Sequence, residues 1–163
     1  LWSRGLGDVY KRQTINSLLD EVPDDKGSLL ITGKEGLFSA GFDLKTISGG
    51  DPKAAVEMTT AGFKLLSRIY SFPRPVIAAA SGHAIALGAF LLCCADYRIG
   101  AKGKFIVQAN ETRNGMSIPT PILEISKSRI LKNHWYSTQY WMLSIVAVRE
   151  NSFVENPPSF RLI

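Results

Sequence analysis

Cysteine is nearly absent from this chain, and so are the side-chain arrangements that usually announce chemistry. The two cysteines, Cys93 and Cys94, are adjacent within an apolar run that reads as helix. Neighbours on a helix point to different sides, and neither has a His or Cys partner at metal-ligand spacing, so no metal site is expected. Both read as small buried thiols. Without a disulfide framework the chain fits a reducing compartment, cytoplasmic or, in a eukaryote, an organelle matrix. Its first residues are polar and glycine-punctuated, unlike a signal peptide, so secretion is not expected.

Other absences narrow the function further. Neither G-x-x-x-x-G-K-S/T nor G-x-G-x-x-G occurs, which argues against the usual nucleotide-binding folds. No G-x-S-x-G elbow surrounds Ser81, and Ser81 with His83 is read as structural rather than as a nucleophile and base. The net charge is +5, but it is not clustered: residues 14–136 hold 14 Lys and Arg interspersed with 11 Asp and Glu. With no basic strip interleaved with aromatics, nucleic acid is not an expected partner. Residues 76–94 form a 19-residue run whose only polar side chains are Ser81 and His83, long enough to span a bilayer. Gly82 and the Pro73/Pro75 pair divide it into strand, turn and helix, so no membrane span is expected.

What is present is main chain. Two stretches, Ser39-Ala40-Gly41-Phe42-Asp43-Leu44 and Gly82-His83-Ala84-Ile85-Ala86-Leu87-Gly88-Ala89, follow short apolar runs at 28–32 and 76–80 that read as buried strands. Small residues at a strand exit let the backbone approach a ligand and leave N–H groups free to donate. Two such turns facing one cleft would hold a developing oxyanion between two backbone donors.

Around them the pattern alternates. Asp51-Pro52 opens a helix to about Tyr70, with Val56, Phe63, Leu66 and Ile69 on its apolar face, and Phe72-Pro73-Arg74-Pro75 ends it. A helix follows at 86–94, strands at 97–100 and 105–107, and a helix at 121–132 carrying Ile122, Ile125, Ser126 and Arg129 at turn spacing. Alternation of this kind predicts an α/β domain, a parallel sheet with crossover helices and a site at the strand C-terminal ends. No internal repeat is visible. Residues 1–13 have no helical or strand period, and 137–163 lose the pattern again. Both ends are read as non-native sequence, the second through a slipped reading frame.

Two carboxylates are candidates for chemistry. Asp43 is read first as a local cap or turn residue bonding backbone N–H groups. Glu111, in Gln108-Ala109-Asn110-Glu111, sits on a loop before Gly115 and Pro119; a catalytic acid/base and an exposed solvating side chain both fit that position.

These residues resemble the crotonase (enoyl-CoA hydratase/isomerase) superfamily over about 14–136. The resemblance is carried by Phe38-Ser39-Ala40-Gly41-Phe42-Asp43-Leu44, Pro73-Arg74-Pro75-Val76-Ile77-Ala78, Gly82-His83-Ala84-Ile85-Ala86-Leu87-Gly88, Ala95-Asp96-Tyr97-Arg98-Ile99, and Asn110-Glu111 with Gly115. It implies a crotonase-like fold, here truncated at both ends, and an acyl-CoA thioester as substrate. By motif position the backbone N–H groups of Phe42 and Leu87 form the oxyanion hole, and Ala40, Gly41, Asp43, Leu44 and Gly88 contact substrate. The family's loop glutamate maps to Glu111, while the helix glutamate used by its hydratases maps to Phe90. A single carboxylate favours isomerase-like chemistry over hydration. No cofactor is implied beyond the CoA of the substrate. The family's intact members imply a homo-oligomer, a trimer or hexamer. The departures at Phe90 and at the ends leave an alternative: an inactive fragment that binds acyl-CoA or associates with homologous subunits.

Overall fold

The computed structural model describes residues 9–23, 25–109, 111, 116–129 and 146–147, with backbone alone at 9–12 and 146–147. In chain order these form α1 (Val9–Glu21), β1 (Leu29–Thr32), β2 (Gly36–Ser39), α2 (Leu44–Ser48), α3 (Pro52–Tyr70), β3 (Val76–Ala80), β4 (Gly82–Ile85), α4 (Leu87–Cys94), β5 (Tyr97–Gly100), β6 (Ile106–Gln108), α5 (Thr120–Arg129) and β7 (Val146–Ala147).

The strands make two sheets rather than the one expected. The first has the order β1-β3-β5 and the second β2-β4-β6-β7. All neighbours are parallel except β6 and β7. Successive strands therefore alternate between sheets: β1 and β2, β3 and β4, β5 and β6 each pass from the first sheet to the second before the chain turns back. The second glycine-bearing stretch thus begins as strand β4, and β2 is a strand that periodicity did not reveal. Four residues are too few to establish a period. What makes them strands is non-local. The break at Ser81 sends the chain into the second sheet, with Ser81 Oγ donating to Lys34 O at 2.7 Å and Gly36 N donating to Ser81 O at 3.0 Å. At Gly82 a Cβ would stand 1.9 Å from the carbonyl carbon of Gly36, so only glycine lets these strands approach.

The helices close the core from local instructions. Asp51 caps α3, its Oδ1 accepting from Lys53 N at 3.0 Å and Ala54 N at 3.2 Å, with Pro52 following it in the first turn. Met58, Leu65, Leu66 and Ile69 face inward from α3, whereas Val56 is 62% exposed and leaves the expected apolar face. Two positions before Met58 is about 200° around the helix, which turns Val56 outward. Helix α4 is buried along nearly its whole length and packs against α3 and α5. Ile122, Ile125 and Ser126 of α5 face it as the spacing predicts, and residues 130–132 lie outside the described residues.

The first turn of α1, Val9 onward, includes part of the segment expected to lack periodicity. Arg68 holds this helix, donating to Asn16 O and Asn16 Oδ1, both at 3.0 Å, and pairing with Asp20. Docking to α3 supplies what its weak amphipathic pattern does not. Of the C-terminal segment, Val146–Ala147 pair with β6; the rest of 137–163, with residues 1–8, lies outside the described residues. Among the described residues no helix is long and apolar enough to cross a membrane, and 76–94 is divided among β3, β4 and α4.

Candidate active site

The first loop leaves β2 at Ser39. Gly41 has φ +82°, and a Cβ there would stand 2.7 Å from both Ala86 Cβ and Ile85 O. Gly41 N donates to Ser39 Oγ at 3.3 Å. Beyond the loop Asp43 caps α2: Oδ1 accepts from Lys45 N at 3.1 Å and Oδ2 from Thr46 Oγ1 at 3.2 Å. The cap reading of this residue is the one its geometry shows.

The second loop is shorter still. Between β4 and α4 stands one residue, Ala86, at φ 51° and ψ −119°. This region strongly favours glycine, and holding an alanine there costs of order 1–3 kcal/mol. Its surroundings fix the conformation. Ala86 N donates to Gln108 O at 2.6 Å, and Ala86 O accepts from Ala89 N at 2.9 Å and Phe90 N at 3.3 Å. The turn aims the first N–H groups of α4, beginning with Leu87, out of the helix end, where no intrahelical acceptor exists and the helix dipole is positive. Nothing in the sequence signals this strain, because the residue that bears it is an alanine.

The two loops are locked to each other. As Gly41 lies on Ala86, so Gly88 lies on Ser39: a Cβ on Gly88 would stand 2.6 Å from Ser39 Cβ and 2.9 Å from Ser39 O. Beside this seam is a cavity of about 40 Å³ lined by Ala40, Phe42, Leu44 and Ile47 on one side, Ile85 and Ala86 on another, and Glu111 and Met116. Glu111 is only 2% exposed, which rules out the solvating reading. Its carbonyl accepts from Met116 N at 2.9 Å. Among the described residues lining the cavity, Glu111 alone has an ionisable side chain. Phe90 is 2% exposed and packs in the hydrophobic core.

The expected site residues therefore fall in three places. Ala40, Phe42, Leu44 and Glu111 line the cavity, while Gly41, Leu87 and Gly88 do not; the two glycines are packed against Ala86 and Ser39 beside it. Asp43 is the N-cap of α2. Asn110 and Gly115 lie outside the described residues.

The remaining polar motifs hold the fold. His83 Nδ1 accepts from Ile106 N at 3.0 Å, joining β4 to β6, and its ring meets Phe105 edge-on. Asp96 accepts from Val76 N at 2.9 Å and from Arg129 at 3.1 Å, tying β3 to α5. Burial pushes the Cys94 thiol up to about 12 and also raises that of Cys93. Neither is a thiolate at neutral pH. Among the described residues no three His, Cys, Asp or Glu side chains gather where a metal ion would bind.

Residues 12–131 match the family model for enoyl-CoA hydratase/isomerase. The chain is 30% identical over 120 residues to the peroxisomal enoyl-CoA delta isomerase 1 of Arabidopsis thaliana, covering 73% of this chain and 49% of that protein. A probable enoyl-CoA hydratase of Mycobacterium tuberculosis superposes with a TM-score of 0.74 at 43% identity, covering 82% of this chain and 56% of that structure. A second structure of the same Mycobacterium tuberculosis protein, there described as an enoyl-CoA isomerase, gives a TM-score of 0.72 at 42% identity, covering 82% and 57%. The chain spans about half the length of the relatives it matches.

Proposed function

The chain belongs to the enoyl-CoA hydratase/isomerase family and has its crotonase fold, and from that membership we propose that it is part of an enzyme that moves a proton on an enoyl-CoA thioester. The observation that carries the proposal is the position of Glu111, buried in the same cavity as Phe42 and the Ala86 turn that precedes Leu87.

In this reading the thioester carbonyl lies between the N–H groups of Phe42 and Leu87. Ala40 and Leu44 line the cavity beside it, Gly41 and Gly88 let the two loops close on it, and Asp43 anchors the end of the first loop. Glu111 takes a proton from the carbon next to the carbonyl, and negative charge spreads onto the thioester oxygen as an enolate. Two fixed donors and the positive end of α4 meet that charge without reorganising. When the substrate carries its double bond at the 3 position, the electron pair delocalises over it, and Glu111 returns the proton at the far carbon. The double bond has then moved to the 2 position with one carboxylate acting twice.

Hydration also requires a water to be activated while a proton is delivered, a task that favours two carboxylates. By motif position the second carboxylate of the family's hydratases falls on Phe90, a hydrocarbon side chain, which favours isomerisation. The chemistry needs no metal or redox cofactor, and CoA enters as part of the substrate. The compartment proposed is the cytoplasm or an organelle matrix, and the working assembly a homo-oligomer. In support of assembly, the outer face of the first sheet carries exposed Leu30 and Ile99.

Incubation with a panel of 2- and 3-enoyl-CoA esters tests this reading. Conversion of 3-enoyl to 2-enoyl esters is expected; formation of 3-hydroxyacyl-CoA as the main product would replace isomerase with hydratase. Saturable acyl-CoA binding without turnover of any ester would select the second reading, a non-catalytic binding chain, which the hydrocarbon at Phe90 also favours.

A further inference from the structure

Gly62 lies buried in the interior of the 19-residue helix α3, where glycine weakens a helix relative to alanine. A buried glycine in an otherwise well-formed helix calls for a packing reason, and the contacts supply one. A Cβ on Gly62 would stand 2.6 Å from Phe42 Cε1, 2.9 Å from Phe42 Cζ and 3.1 Å from Leu87 Cδ2. One side chain is on the first loop and the other at the start of α4, far apart in the sequence, and they are the side chains of the two residues whose N–H groups the reading above assigns to the thioester oxygen.

We propose that Gly62 is a positioning residue: its bare backbone is the common seat for the Phe42 ring and the Leu87 side chain, and this seat sets the spacing of the two backbone donors. Phe42 has little freedom to adjust. Its ring meets Phe63 edge-on, with centroids 5.7 Å apart, and the residue lines the cavity, so a ring displaced from α3 gives way at the cavity's expense. Leu87 is fully buried and begins α4 directly after the strained Ala86 turn, so its side chain and its N–H move together. A methyl group on α3 would thus reach both donors at once without touching substrate. The catalytic part of this proposal rests on the oxyanion role of Phe42 and Leu87.

The test compares the full chain with Gly62→Ala and with the double variant Gly62→Ala/Phe42→Leu, which removes Cε1 and Cζ. In Gly62→Ala the backbone amide resonances of Phe42 and Leu87 are expected to shift together. Turnover of a 3-enoyl-CoA ester should fall at least about tenfold in kcat, since small misplacements in an active site can cost as much as about a hundredfold, while KM stays within about threefold. The double variant should recover part of the lost kcat. Unmoved amides at 42 and 87, or a kcat equal to the parent's, would overturn the proposal. If the parent chain turns over no ester, the functional reading fails, and the amide shifts alone still decide whether Gly62 positions both groups. Should Gly62→Ala not fold, the double variant is expected to fold because the clash with the ring is gone; failure of both would assign Gly62 a different role and contradict the proposal.

Discussion

Gly41 and Ala86 meet so closely that a Cβ added to the glycine would stand 2.7 Å from the Cβ of the alanine. This contact joins the ends of two strands that are neighbours in the second sheet, beside the cavity. Gly41→Ala should therefore destabilise the protein by about 2 kcal/mol or more, combining a positive φ with overpacking. Urea denaturation of parent and variant measures the difference. A change below about 0.5 kcal/mol, the range of ordinary surface substitutions, would mean that the seam relaxes freely.

Ala86→Gly should act in the opposite direction. The alanine is held at φ 51°, and releasing of order 1–3 kcal/mol of strain outweighs the roughly 0.5–1 kcal/mol of extra unfolded-state entropy that glycine brings. A net gain of about 1 kcal/mol is expected in the same denaturation experiment. A loss of similar size would show that the methyl group contributes packing that exceeds its backbone strain.

Cys94 gives a pH dependence. Its folded-state pKa is pushed up to about 12 from an ordinary value of 9.0, chiefly by burial. The unfolded chain therefore releases this proton first as pH rises. Cys94 contributes fully to stability below about pH 9, and that contribution is lost progressively as pH climbs towards 12. Denaturation at pH 8 and at pH 10.5 should show a fall in stability that Cys94→Ala makes smaller. An unchanged fall in the variant would assign the effect to other groups.

Much of the architecture was legible where its causes are local. The Asp51 cap, Pro52 and the proline-rich stop after Tyr70 delimit α3 because each acts within a turn or two of the helix end. The apolar runs of β1 and β3 were legible because they are written in consecutive residues. Strands β2 and β4 were not, because these four-residue segments become strands only through pairing across the break at Ser81. The weak periodicity of α1 hid a helix that Arg68 holds in place. At the site, resemblance named Phe42, Leu87 and Glu111, but the burial of Glu111 is a tertiary property that its spacing did not carry. Ala86 carried no signal, since its strain is imposed by Gln108 and by the helix it starts.

Glu111→Gln, compared with the parent chain on a 3-enoyl-CoA ester, tests the central claim most directly. The amide keeps the volume of the carboxyl group and removes its capacity to carry a proton. Removing general acid–base catalysis typically costs about 10²–10⁴ in rate, so a loss of kcat in that range is expected with the fold intact by circular dichroism. A folded Glu111→Gln variant that retains the parent kcat would contradict the assignment of Glu111 as the proton carrier.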